Sequence, residues 1–348
     1  MRIDLPRLTG RPTQHCIPRW SQPRTVIDVE FDPLVGKFVT LIKVPTGSRG
    51  DRRPAVAGRW PLGRRTEVTH PGFVVTKVGL PSLVTALRRH PVGAFLFFAF
   101  AYSWGYWIPV ALAGGKLSHF PGLIGPMLAA FTVAAVSDGL AGARDLLARM
   151  VRWRVPFRWY AAAVIPAVAG LLGLVALSVT GHGLPSVAEL STMAGLPSVG
   201  WLGLLALVFV VNGYGEEVGW RGHAWPRLRE RHSTAGAALI LAVFWAAWHV
   251  PTFWIDSGLR GFDPLLIPGW IIGLAAGAVV LGWLYEQARS SLLIVALFHA
   301  LLNMASATPA TEGFPAIVVT FAVIVWAVRI LHGEAARHPK EVEPGIPA

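Results

Sequence analysis

The 348-residue sequence contains a single cysteine, Cys16, and few charged residues, which make up only 14% of the chain. One cysteine excludes an intrachain disulfide and any metal site built from several cysteine ligands. Soluble domains carry roughly 25% charged residues, whereas here 53% of the residues are hydrophobic and the mean hydropathy is +0.52. The scarcity of charge therefore predicts a membrane protein.

Acidic residues are also scarce, since 31 Lys and Arg oppose 19 Asp and Glu, for a net charge of +12. Most of this excess lies before residue 92, in a segment rich in Arg, Pro and Gly. This composition predicts that residues 1–88 are a basic, largely disordered extension. The pieces TVIDVEF and KFVTLIKV within it are candidates for a small hairpin, and a weakly ordered tail is the alternative. No nucleic-acid-binding module is recognisable, so we expect no nucleic-acid partner.

The first 24 residues lack the apolar stretch that a cleaved signal peptide requires, so we expect the first apolar span to act as an uncleaved anchor. Eight apolar segments predict an all-α membrane protein, a bundle of about eight transmembrane helices with a buried polar cavity, within residues 89–333. A short polar tail, residues 334–348, is expected to follow. The predicted spans are residues 92–113, 120–140, 159–179, 199–222, 235–254, 264–285, 291–307 and 314–331.

Arginines are concentrated in alternate loops between these spans, whereas the intervening loops carry only Lys116 and Arg260. Cytoplasmic loops are enriched in Lys and Arg, so the alternation predicts that both termini are cytoplasmic in a multi-pass protein of the cell membrane. The sequence shows no convincing internal repeat, which argues against an inverted-repeat transporter.

The fourth span contains two adjacent carboxylates in the stretch VNGYGEEVGWR. The apolar run before it, residues 199–211, is only about 20 Å long as a helix, too short to cross the bilayer, so the helix is expected to continue through Glu216 and Glu217. Glu217 and Arg221 have the i, i+4 spacing of an ion pair, whereas Glu216 points about 100° away. This spacing predicts that Arg221 satisfies Glu217 and that Glu216 is free for chemistry. A structural tether between helices is the alternative role for both glutamates.

Three further polar residues are expected at a similar depth. His249 lies in the fifth span, and His299 and Asn303 lie one helical turn apart in the seventh. A carboxylate beside an imidazole can take a proton from water, and a His and an Asn can donate hydrogen bonds to an oxyanion. The four residues therefore predict a peptide hydrolase with water as the nucleophile. Glu216, His249 and His299 also match a two-His, one-carboxylate zinc site. The sequence therefore leaves open whether this site binds a divalent metal such as zinc.

At these residues the sequence resembles the CPBP family of intramembrane proteases, the CAAX prenyl endopeptidase and bacteriocin-processing family, also called Abi. The family pattern is EExxxR, FxxxH and then HxxxN or HxxxD. EEVGWR and HALLN match the first and last motifs, whereas Trp245 replaces the phenylalanine four residues before His249. The resemblance implies that Glu216 and His249 activate water while His299 and Asn303 hold the oxyanion. It covers roughly residues 90–331 and leaves metal dependence undecided.

The resemblance implies a peptide or protein substrate, membrane-anchored or not, that meets the enzyme within the lipid bilayer. A prenylated CAAX peptide, a bacteriocin leader and a membrane-anchored regulator all fit such a site. The sequence does not exclude two other functions. Buried Glu and His residues also form proton relays in proton- or ion-coupled transporters, and the same fold could act as a non-catalytic immunity or secretion accessory protein.

Overall fold

The computed structural model describes residues 26–32, 37–43, 67–70, 73–76 and 83–337. The chain divides into two compact units, Met1–Arg89 and His90–Ala348. In the first unit, β1 (Val26–Asp32) and β2 (Lys37–Lys43) pair antiparallel, which confirms the predicted hairpin. A second antiparallel pair joins β3 (Glu67–His70) to β4 (Phe73–Thr76). Cys16, the predicted disorder elsewhere in residues 1–88 and the tail after residue 337 lie outside the described residues.

The rest of the described chain is helical. Its α-helices are α1 (Leu83–Arg89), α2 (Pro91–Leu112), α3 (Phe120–Leu123), α4 (Gly125–Met150), α5 (Phe157–Ser178), α6 (Gly200–Val208), α7 (Gly215–Gly219), α8 (Trp225–Arg229), α9 (Thr234–Trp248), α10 (Ile267–Gln287), α11 (Leu292–Ser306) and α12 (Phe314–Arg337). Sequence signals explain where several of these helices begin. Pro91 occupies the first turn of α2, and the Ser233 and Ser291 side chains accept backbone N–H hydrogen bonds at the starts of α9 and α11.

Seven helical segments of the described residues are long and apolar enough to cross a membrane. An eighth apolar helix, α11, has only 15 residues, or about 22 Å at helical rise. The prediction of about eight membrane helices is therefore confirmed, with one of them short. Most residues of α11 are buried, and α5, α10 and α12 pack against it. A helix surrounded by protein need not match the bilayer thickness, because few of its residues face lipid.

The loops contact one another in the pattern that their charges predict. At one end of the bundle, Arg152 donates a hydrogen bond to the Arg289 carbonyl oxygen, and the Ser291 hydroxyl donates to the Arg152 carbonyl oxygen. In the arginine-poor loops, Arg260 donates to the Gly115 carbonyl oxygen. Arginine-rich loops therefore contact arginine-rich loops, and arginine-poor loops contact arginine-poor loops. Such a grouping is expected when alternate loops lie on opposite sides of a membrane.

Candidate active site

The helix that carries the two glutamates runs from Gly200 to Arg229, so it continues through the EEVGWR motif as predicted. It is not a uniform α-helix. Two π-helical turns, Phe209–Tyr214 and Trp220–Ala224, flank α7, the short α-helical segment that contains both carboxylates. Each π turn inserts an extra residue, which changes the direction of the side chains that follow, and such turns are frequent at functional sites. The sequence pattern did not predict them.

Glycines on this helix let two neighbouring helices approach its backbone. A Cβ atom added to Gly213 would lie 2.7 Å from the Ala296 carbonyl oxygen of α11. One added to Gly219 would lie 2.6 Å from Pro126 at the start of α4. Small residues allow such close contacts between membrane helices. The glycines of the motif therefore place α11, which carries His299, directly against the glutamate segment.

Glu217 lies at the centre of a buried ion-pair network. Its Oε1 atom accepts a hydrogen bond of 2.8 Å from Arg221 Nη1 and one of 2.7 Å from His299 Nδ1. Glu217 and Arg221 are fully buried, and His299 is 3% exposed. The structure thus contains the predicted Glu217–Arg221 ion pair. It adds His299 to that pair, which sequence spacing alone could not show because His299 is 82 residues away.

Glu216 points away from this pair, as the helical spacing predicts, and it has a hydrogen-bond partner of its own. Its Oε2 atom accepts a hydrogen bond of 2.7 Å from the indole Nε1–H of Trp245 on α9. The Glu216 side chain is buried, with 1% exposure. A lone buried carboxylate is costly unless a donor compensates it. Trp245 supplies that donor and leaves the second carboxylate oxygen, Oε1, for another hydrogen bond.

His249 ends the helix α9 and is followed by the 3₁₀ helix Val250–Trp254. Its Nδ1 atom lies 2.7 Å from the Trp245 carbonyl oxygen. A carbonyl oxygen only accepts hydrogen bonds, so Nδ1 carries a proton and a neutral His249 presents the lone pair of Nε2. The ring is half-buried and is surrounded by aromatic rings, with the Trp248 centroid at 4.8 Å and the Trp270 centroid at 5.6 Å.

Trp245 is the site residue that the sequence analysis missed. Besides its contacts with Glu216 and His249, its ring lies under the Arg221 guanidinium at 4.7 Å and meets the His299 ring edge-on at 5.7 Å. It therefore joins the residues of all three motifs. The signal was present in the sequence as the one departure from the family pattern.

Asn303 follows His299 by one turn on α11 and is half-buried. Its side chain makes no hydrogen bond within the described part of the chain, so it is available to a ligand. Metal ligation is a separate matter. In the described residues, no group of three His, Cys, Asp or Glu side chains converges as a metal site would require. Glu216, His249 and His299 do not form such a group there, and we derive no step through a metal ion.

Buried Glu, His and Arg side chains joined across three helices of an apolar bundle define a multi-pass membrane protein with a hydrolase-like polar site. The family described as type II CAAX prenyl endopeptidase Rce1-like matches residues 198–305. CAAX prenyl protease 2 of Methanococcus maripaludis is 23% identical over 218 residues, which cover 61% of this chain and 76% of that protein. The two matches confirm the resemblance predicted from the motifs. The chain is therefore similar to intramembrane endopeptidases of the CAAX prenyl protease type.

Proposed function

We propose that the chain hydrolyses a peptide bond with a water molecule activated by Glu216 and His249. The observation that carries this proposal is the shared contact of both residues with Trp245, which occupies one polar atom of each and leaves the other for water. Glu216 Oε1 and His249 Nε2 are both acceptors, so a water molecule held between them can lose a proton as it attacks the scissile carbonyl. The proton then passes to the leaving amine.

His299 and Asn303 stabilise the negative charge that develops on the carbonyl oxygen. The Nδ1 atom of His299 is bound to Glu217, so only Nε2 remains for the substrate. A neutral imidazole with its proton on Nδ1 would present a lone pair there and repel an oxyanion. The proposed role therefore requires a doubly protonated His299, an ion that the adjacent Glu217 carboxylate stabilises. The Asn303 amide adds a second N–H donor.

We propose a membrane-anchored peptide with a C-terminal CAAX sequence as the substrate. The similarity to a protein named CAAX prenyl protease 2 supports this choice. The surroundings of His249 also support it. Trp270 and Phe253, both half-buried, form an aromatic surface next to the imidazole. Such a surface suits the apolar part of a lipid-modified peptide better than it suits a charged solute.

The arginine-rich loops that contact one another support the orientation proposed for the bundle. With these loops facing the cytoplasm, both termini are cytoplasmic, and the protein is a multi-pass component of the cell membrane. Reporter fusions that are active on only one side of the membrane test this orientation. Reporters fused within the loops at residues 113–119 and 150–156 should show opposite activities.

Cleavage of a farnesylated CAAX peptide by the purified protein in detergent tests the reaction. Wild-type protein should release the terminal tripeptide, and Glu216→Ala should abolish release while the protein remains folded. The control is Glu312→Ala, because Glu312 is an exposed loop residue. Full activity of Glu216→Ala would contradict the proposed mechanism.

Proteomics of membrane fractions from cells carrying either wild type or Glu216→Ala identifies the natural substrate as an uncleaved precursor. Proton or ion flux through reconstituted vesicles, without any cleavage, would instead support a transporter. If neither ion flux nor an uncleaved precursor is found, the accessory-protein function is the better explanation.

A further inference from the structure

One residue outside the proposed catalytic group contacts most of that group. Trp245 is 4% exposed and uses three separate parts of its structure at the same time. The indole N–H donates to Glu216, the backbone carbonyl oxygen accepts from His249, and the ring face lies 4.7 Å from the Arg221 guanidinium. A residue that only filled space would need none of these polar contacts.

The side chain and the backbone of Trp245 act on the two groups that are proposed to bind water. The hydrogen bond at Glu216 Oε2 restrains the rotation of the carboxylate, which directs Oε1. The carbonyl contact restrains the His249 ring and determines which nitrogen carries the proton. Residues that orient a reactive group in this way commonly change activity by about 10–100-fold when they are altered.

We propose that Trp245 is a positioning residue that holds Glu216 in its reactive orientation through the indole N–H. Phenylalanine, the residue of the family pattern at this position, has a ring of similar shape but no N–H donor. In this chain the carboxylate therefore depends on a hydrogen bond that the family pattern does not provide. This inference rests on the proposed role of Glu216.

Trp245→Phe removes the donor and keeps an aromatic ring, and it leaves the backbone carbonyl contact with His249 in place. We expect kcat for cleavage of the farnesylated CAAX peptide to fall about 10–100-fold, with KM unchanged within about twofold. Trp245 acts through the carboxylate and does not bind the peptide itself, which explains the separation of the two constants.

Trp159→Phe is the matched control. Trp159 is also buried, and its indole N–H has no hydrogen-bond partner among the residues that the structure describes. Its ring packs against Trp283, outside the proposed site. This control loses the same chemical group from a buried tryptophan, so we expect kcat to stay within about twofold of wild type.

A second measurement does not depend on activity or on whether Trp245→Phe folds. Fluorotryptophan placed at position 245 reports its surroundings by fluorine NMR. Because Glu216 accepts the indole proton, Glu216→Ala should move the signal from position 245, whereas the signal from a probe at position 159 should stay in place.

The outcomes separate this inference from the proposed function. If Glu216→Ala is inactive but Trp245→Phe has the kcat of wild type, the positioning role is wrong and the proposed mechanism stands. An unmoved fluorine signal at position 245 in Glu216→Ala also overturns the positioning role. If Glu216→Ala cleaves normally, the proposed mechanism itself fails, and the role of Trp245 fails with it.

Discussion

Replacing Glu217 by Gln should strongly destabilise the folded protein while changing the shape of the side chain very little. The amide has nearly the same size as the carboxylate but carries no charge. Arg221 is fully buried, and Glu217 is its only acidic ion-pair partner among the described residues. Its Nε and Nη2 atoms have no hydrogen-bond partner within those residues. The substitution therefore leaves a buried guanidinium without its ion-pair partner.

Breaking a buried ion pair by removing one partner costs about 3–5 kcal/mol. Since each ~1.4 kcal/mol changes an equilibrium constant tenfold, Glu217→Gln should lower the folding equilibrium constant by two to four orders of magnitude. Arg221→Gln should also destabilise the protein, because the buried Glu217 carboxylate then keeps only its contact with His299. Removing both charges should cost less than either single change, because no unpaired guanidinium or carboxylate then remains.

Thermal and denaturant unfolding in detergent, followed by circular dichroism, measures these free energies for the two single variants and the double variant. The chain contains its own control. Asp145 and Arg149 form a second i, i+4 ion pair in the same order, but the Asp145 side chain is 61% exposed. Asp145→Asn should cost no more than about 1 kcal/mol. Equal costs for Glu217→Gln and Asp145→Asn, or strictly additive single variants, would refute the argument.

Three further predictions concern other parts of the structure. Gly213→Ala should lower kcat about 10–100-fold, because the new methyl group would lie 2.7 Å from the Ala296 carbonyl oxygen and push the helix of His299 outwards. Burial lowers the pKa of His119 below 6.5, so the folded state favours neutral His119 and should lose stability as the pH falls below about 6.5. Exhaustive chelation should leave cleavage unchanged, since no three-ligand group converges among the described residues.

Each of these predictions has a control. Gly105→Ala adds the same methyl group to a helix at a position where no packed neighbour in the described part of the chain lies within 4 Å. Normal activity in both Gly105→Ala and Gly213→Ala would contradict the packing argument. For His119, unfolding midpoints are compared between pH 7.5 and 5.5. The decrease should be smaller in His119→Asn, and an equal decrease would show that other groups cause it. Loss of cleavage on chelation, with recovery on adding zinc, would assign a metal to the site.

The sequence was sufficient for the membrane class and for the helix count. Low charge, long apolar runs and alternating loop arginines depend only on composition and order, because a bilayer imposes the same length and polarity on every span. The local pair Glu217–Arg221 was also predictable, since both residues lie one turn apart on one helix. The π turns beside them were not, because they depend on contacts with neighbouring helices that helical periodicity does not encode.

Only the tertiary structure decided which side chains meet. His299 binds Glu217 across 82 residues of sequence, and Trp245 binds Glu216 across 29. Both contacts depend on how α9 and α11 pack against the glutamate segment, and a motif records neither the distance between helices nor the rotation of each about its axis. The chemistry of the site was therefore visible in the amino acids, whereas the hydrogen-bond partner of each carboxylate depended on the packing of the bundle.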